Sequence, residues 1–407
     1  MKRPELLAPA ASNSMIAAAA QGGADAVYFG LSALNMRKGA KNFDISQLPK
    51  TVEYCRSLGL RCFLTVNTIV FNDEQDKVKD ILDAAAEAKV DAVIAWDPAV
   101  IMEARARELE IHLSTQASVA NTSAARFWGE QGVSRVILAR ECTLEQIAQI
   151  KRDAGVEVEC FVHGAMCLAL SGRCLLSHYT TSCSGNRGQC VQPCRREYEI
   201  RDVETGDKYK VGDHYVLSPR DLCTLPFIDL LIQAGIDCFK IEGRNRSPEY
   251  VRTVTSCYSE AITAALEDRL DQPLIDELRA KMTKVYNRHF SDGFYFGLPA
   301  EGGWAGHTGS AATHRKVFIG QVTKFYQKIS VAVVKLAGRH LAVGEEIILI
   351  GPTTGVVHYK IPEIQIDHET VDRAEKGAKI AVKTDIRWRP GDKVFILEPV
   401  VPLPEKP

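Results

Sequence analysis

The chain has 407 residues, of which 46% are hydrophobic and 25% charged, with a net charge of −1. This is ordinary globular composition, enough for two or three domains, and it excludes capture of a polyanion or a membrane by a global basic field. No run approaches the ~18 uncharged apolar residues of a membrane span. Pro4, Glu5 and Pro9 interrupt the N-terminus where a signal peptide needs an apolar core, so a cytoplasmic, reducing location with no membrane partner is expected.

The first 245 residues alternate short apolar runs with amphipathic helical patterns. The runs are "ELLAPA" (5–10), "DAVYFG" (25–30), "CFLTVN" (62–67), "DAVIAW" (91–96), "IHLSTQ" (111–116), "SRVILARE" (134–141), "VEVECFVHG" (156–164), "YVLSPRDL" (215–222) and "DCFKIEGR" (237–244). Between them, "DEQDKVKDILDAAAEAK" (73–89) places Val78, Ile81, Leu82 and Ala85 on one helical face. Strand–helix units repeating every ~20–25 residues predict parallel strands with crossover helices. Eight or so units favour a closed (β/α)8 TIM-like barrel, in which chemistry lies at the C-terminal ends of the strands. Those ends are polar here, at Asn67, Gln116, "ARE" (139–141) and "EGR" (242–244).

Ser247-Pro248-Glu249 reads as a helix start, with Pro at the first helical position. A second helix follows Asp271, and a Gly-rich stretch runs from Gly293 to about Ala312. The remaining residues are short, β-branched, alternating segments with Gly turns, predicting a small antiparallel β-barrel of roughly six strands. The expected domains are 1–246 (the barrel with a cysteine insertion), 247–312 (helical extension and linker) and 313–407 (the β-barrel module).

Five of the twelve cysteines fall within 28 residues, at Cys167, Cys174, Cys183, Cys190 and Cys194. In a reducing compartment they are not a disulfide framework. Those at 55, 62, 142, 160, 238 and 257 lie inside strand or helix patterns and read as small buried hydrophobes. The cluster lies instead among Gly, Ser, Asn and Arg. Cys167, Cys174, Cys190 and Cys194 are separated by six, fifteen and three residues. Soft thiolates converging on one cofactor suit an iron–sulfur cluster. Zinc prefers close pairs, and only Cys190/Cys194 form one. Spacing leaves iron–sulfur, zinc and unligated thiols open.

Strand parity sorts the ionisable side chains. In "VEVECFVH", Glu157, Glu159, Phe161 and His163 share the face opposite the valines and are expected to face the barrel interior. Lys240 and Glu242 share a face, opposite Phe239 and Ile241. Interior charges need partners, so these residues mark either a site or a structural pair such as Lys240–Glu242. Gln116, Arg140 and Glu141 stand at strand ends as further candidates. Arginines gather near the cysteines, including Arg173, Arg187, Arg195, Arg244 and Arg246, and suit phosphate or carboxylate. His178, Tyr179 and Tyr198 offer stacking surfaces for an unpaired base. There is no HExxH helix and no GxSxG elbow; His163 and Cys167 are near neighbours, which keeps a cysteine-peptidase reading open.

The stretch "ECFVHGAMCLALSGRCLLS" (159–177) resembles the signature of the collagenase-like peptidase family 32. "ELLAPAAS", "HLSTQ" (112–116), "NRGQCVQPCR" (186–195) and "KIEGR" (240–244) resemble family segments too, over about residues 4–320. The resemblance implies a barrel fold carrying a 4Fe-4S cluster, with Cys167, Cys174, Cys190 and Cys194 as ligands and Cys183 or Cys223 as alternatives for the fourth. The branch of similar length, with a C-terminal barrel, implies a tRNA partner, hydroxylation of wobble uridine to 5-hydroxyuridine with prephenate as co-substrate, and a sister protein of the same family as a partner. Other branches imply a ribosomal RNA cytidine or a small aromatic ring as substrate. On that reading His163, Glu159, Lys240, Glu242, Gln116 and Arg140 are the catalytic candidates, and Arg173 and Arg244 bind the co-substrate.

Overall fold

A computed structural model of the chain describes residues 2–196, 199–210, 217–299, 303–305 and 309–400. Eight parallel strands close into a barrel: β1 (Glu5–Pro9), β2 (Ala26–Gly30), β3 (Arg61–Val66), β4 (Ala92–Ala95), β5 (Ile111–Leu113), β6 (Arg135–Ile137), β7 (Glu157–Ala165) and β8 (Cys238–Ile241). Each pairs with the next, and β8 closes the ring between β7 and β1. Intervening helices bury their apolar stripes against it. In the helix Gln75–Ala88 the buried side chains are Val78, Ile81, Leu82, Ala85 and Ala88, the stripe expected from the 3.6-residue period.

The run 215–222 supplies no barrel strand. Tyr215 and Val216 lie outside the described residues. Asp221–Cys223 pairs antiparallel with the far end of β7, at Ala165, Gly164 and His163. At nine residues β7 is long enough to serve two neighbours, β8 lower down and this short strand above.

The helix Pro248–Leu266, which sequence reading leaves to an extension, packs against the helix Asn13–Gln21 and against β1. It therefore takes the place of the barrel's eighth helix. It has 19 residues, yet among the described residues no helix is long and apolar enough to cross a membrane.

The C-terminal module is an eight-stranded antiparallel sheet and a separate two-stranded ladder, Leu341–Ala342 with Arg373–Ala374, around its own core, including Ile319, Val334, Ile380 and Trp388. Its long strand His314–Tyr326 pairs with Lys393–Pro399 on one side and Val331–Leu336 on the other. Beyond the six strands expected, the sheet gains the hairpin Ile364–Ile366/Glu369–Val371. Those segments are three residues each, too short to show alternation. The module leans on the barrel through Gln21, whose amide bonds the backbone of Thr354 and Val356 at 2.8 and 2.9 Å, and through Lys316–Glu249 at 2.7 Å.

Candidate active site

Charge layers the barrel interior. At the floor Arg135 meets Glu5 at 2.6 Å and Glu157 at 2.7 Å, and Arg61 meets Glu5 at 3.0 Å. One layer higher Lys240 donates to Glu159 at 2.6 Å, and its ammonium lies 4.4 Å from the centre of the Tyr28 ring. Burial alone would raise the Glu159 carboxyl, but Lys240, Arg135 and His112 outweigh it and hold it below the usual range. The pair expected as Lys240–Glu242 is thus Lys240–Glu159. Residues two apart on one strand point the same way about 6.6 Å apart, so the partner comes from the neighbouring strand.

Parity along β7 holds as far as Phe161 and then breaks. Lys240 pairs with Phe161 but Ile241 with His163, so β7 carries one extra residue. This bulge turns His163 away from the barrel axis and into the helix layer. Its ring lies 5.4 Å from Tyr258 and 5.6 Å from Phe290, and Nδ1 is 3.3 Å from the Tyr258 hydroxyl. Burial, reinforced by Arg246, pushes His163 down to about 3, so it stays neutral. Gly164 follows at φ +105°, where a Cβ would stand 2.5 Å from the Glu242 carbonyl oxygen; no L-side chain fits there.

Above the Lys240 layer the barrel opens into a cavity of about 790 Å³. Gln116, Arg140, Lys240, Glu242 and Arg244 line it, together with Cys167, Cys174, Cys183, Cys190 and Cys194. Glu159 lies beneath it, sealed under Lys240, and His163 lies outside it. Arg173 is also off the lining; it donates to the Ser118 hydroxyl at 3.0 Å, 6.0 Å from the Trp96 ring centre. Cys223 is buried elsewhere, its sulfur 3.8 Å from the Tyr258 hydroxyl. Tyr179 is exposed and Tyr198 lies outside the described residues.

The cysteine segment folds over the mouth on polar tethers. The Cys174 amide donates to Asn186 at 3.0 Å, the Val191 amide to Ser177 at 3.1 Å, and Arg195 to Ser218 and the Pro219 carbonyl, both at 2.9 Å. Arg187 grips Glu74 by its two terminal guanidinium nitrogens. Gly188 makes the closest approach: at φ +78° its carbonyl accepts from the Lys38 amide, and a Cβ would strike the Asn35 carbonyl. Burial pushes the Cys194 thiol up and Arg195 pulls it down, while Cys167, Cys190 and Cys174 push it up again, as neighbours across one space do. Among the described residues no three His, Cys, Asp or Glu side chains converge closely enough to hold a single metal ion.

Seven cationic side chains and two carboxylates, Glu141 and Glu242, line the cavity. Burial would raise Glu242, but Arg37, Arg140 and Arg244 hold it down at about 2. Glu242 lies 3.2 Å from Arg37 and accepts from the Tyr28 hydroxyl at 3.3 Å. Arg140 donates to the Ala165 carbonyl at 2.7 Å and covers the Phe161 ring at 3.8 Å. Arg244 donates to Thr65 at 2.9 Å and Asn35 at 3.3 Å, and its Nε has no acceptor among the described residues. Burial lowers this guanidinium to about 10, so it remains charged at neutral pH. Ser114 donates to the Gln116 side chain and receives from Asn67.

Tyr28, Asn35 and Arg37 escaped sequence reading. Tyr28 looks like one more apolar residue of β2. Arg37 and Asn35 lie in the long polar loop after β2, and its length at the C-terminal end of a barrel strand was the available signal.

Residues 12–304 match the model of peptidase family U32. A collagenase of Porphyromonas gingivalis is 39% identical over 96% of this chain and 97% of its own length. A tRNA hydroxylation protein of Bacillus subtilis is 38% identical over 73% of this chain and 72% of its own. One from Haemophilus influenzae is 29% identical over 91% of each.

Proposed function

The chain belongs to peptidase family U32, and on that premise we propose that it is an RNA hydroxylase, acting in its finer form on the wobble uridine of tRNA with prephenate as co-substrate. One observation carries the reading. A single cavity gathers five thiols, a large excess of cations and, among the described residues, no histidine. The name of the P. gingivalis relative suggests peptidase chemistry, and a peptidase working through one of these thiols needs an imidazole beside its thiolate. His163, four residues before Cys167, is turned into the helix layer and held neutral there, and His178, four residues after Cys174, is exposed and off the cavity lining.

The donor set suits a 4Fe-4S cluster better than zinc. Sulfurs on one tetrahedral zinc lie about 3.8 Å apart. A cubane takes one thiolate at each iron, so its ligands surround a space rather than meet at a point. Five thiols around a cavity, with no three meeting at a point, follow the second pattern. Cys167, Cys174, Cys190 and Cys194 would hold the group. Cys183 is the alternative fourth ligand, because Cys223 lies off the cavity. Bound there, the cluster would supply electron transfer.

The chain's own groups bind and orient. Arg244 and Arg140 present charge to a carboxylate or phosphate, and a dicarboxylate such as prephenate fits that demand. Glu242, ionised down to about pH 2, cannot serve as a general acid near neutrality; it holds Arg37 and accepts from Tyr28. Gln116, fixed by Ser114, offers an amide to the Watson–Crick edge of an extruded base.

Nucleoside mass spectrometry of tRNA and rRNA from a deletion strain tests the reading. A hydroxylated pyrimidine should vanish, return with the wild-type gene and stay absent with Cys174→Ala. Anaerobically purified wild type should contain iron and sulfide that the variant lacks. Unchanged hydroxylated nucleosides in the deletion strain would remove the assignment. Persistence of the modification in cells that make no prephenate would remove that co-substrate alone.

A further inference from the structure

The C-terminal sheet shows two unlike outer faces. Towards the barrel, Phe395 and Leu397 pack on the main core. Further along, the outward positions are basic. Pairing across four adjacent strands sets Lys393 opposite Gln321, Gln321 opposite Lys335, and Lys335 opposite Lys379. At ~4.8 Å between strands this row spans roughly 14 Å. Four residues beyond Lys379, Lys383 stands opposite Val331, which in turn pairs with Tyr326. The bulge after Val322 brings Lys324 onto the same face, with its ammonium 4.4 Å from the Tyr326 ring centre. All five lysines are exposed, whereas Val322, Val334, Ile380 and Val394 alternate into the core.

Two ordinary explanations fail. Lysines often guard sheet edges against association, but these stand on interior strands of the eight. Exposed lysines are usually balanced by carboxylates, yet none of the five makes an ion pair among the described residues, although the whole chain has a net charge of −1. Lysines directly opposite on neighbouring strands repel, and among the described residues no carboxylate pairs with Lys335 or Lys379 to offset that repulsion.

We propose that this face binds the phosphate backbone of RNA, holding the body of the substrate while a loop base enters the barrel. The proposal rests on the RNA reading of the barrel cavity. It places phosphates on the row Lys393–Lys335–Lys379 and a base or ribose on the exposed ring of Tyr326. The five charges act as phosphate contacts, so they set affinity and its salt dependence rather than base choice.

The test is tRNA binding to the full chain by fluorescence anisotropy across a salt series. The triple variant K335Q/K379Q/K393Q should lower the slope of log K against log salt by about 2–3, since each lost phosphate contact removes about 0.7–0.9. Affinity at low salt should fall at least tenfold. The charge-retaining triple K335R/K379R/K393R should keep the wild-type slope, which separates loss of charge from a disturbed sheet. If wild type binds tRNA and the glutamine variant shows the same slope, this face is not an RNA surface and the barrel reading stands. If wild type itself binds no RNA, both fall. Loss of binding to an acidic protein or an anionic vesicle with tRNA binding intact would also overturn the assignment.

Discussion

The two ends of the barrel interior hold similar residues in opposite states. At the floor and in the layer above it, Arg135, Arg61, Glu5, Glu157, Glu159 and Lys240 pair in charge at 2.6 to 3.5 Å, with Glu159 Oε2 left an ion-pair neighbour but no hydrogen bond among the described residues. At the mouth cations outnumber carboxylates, Arg244 keeps a nitrogen without an acceptor among the described residues, and five thiols face a shared space. A buried charge is tolerated where its partner is built in and where a ligand can complete it. The floor follows the first rule and the mouth the second. The same residue types therefore serve stability at one end and binding at the other.

This contrast predicts where substitutions will be felt. Glu159→Gln should have the largest cost, leaving Lys240 buried without a counter-charge and lowering stability by about 3–5 kcal/mol in a urea titration. A loss under 1 kcal/mol would show that the floor is not a structural ion network.

Acid should act next, through Glu242. Its folded-state value, about 2, is below the ordinary 4.5, so its contribution is complete above about pH 4.5. That contribution fades as pH falls towards 2 and amounts to roughly 3 kcal/mol. Urea midpoints of wild type and Glu242→Gln should differ at pH 6, draw together below about pH 4.5 and converge only as pH falls through about 2. A constant gap would mean that the carboxylate does not titrate with the mouth cations.

The smallest effect on stability, and the sharpest test of the contrast, belongs to Arg244→Gln. Stability should change by less than about 1 kcal/mol, because an incompletely satisfied buried cation is removed. The KM for an anionic substrate should rise about 10- to 100-fold, the value of a charged hydrogen bond. A large stability loss with unchanged KM would move Arg244 from the binding end to the structural one.

Much of this organisation was legible in the chain. Apolar runs marked all eight barrel strands, since a strand buried on both faces must be apolar throughout. The polar strand ends "ARE" and "EGR" marked the mouth. The five cysteines stood out because Gly, Ser, Asn and Arg punctuate the segment that holds them, in place of an unbroken strand or helix pattern. Other features were not legible. His163 and Glu159 share a parity that one extra residue in β7 cancels after Phe161. The run 215–222 looks like a barrel strand because apolar content does not reveal which neighbour it will pair with. The lysine face was hidden because Lys335, Lys379 and Lys393 are far apart in sequence and meet only through strand register.

The sequence by itself determined the alternation of strands and helices, the change to short β-branched segments after about residue 312, and the collection of thiols in one loop-rich segment. These follow from local periodicity and composition, which each segment carries within itself. Only the tertiary structure decided that Lys240 answers Glu159, that His163 leaves the barrel interior, and that Arg37 reaches the mouth from the β2 loop. Those outcomes depend on closure and register, which relate distant segments and which no single segment encodes.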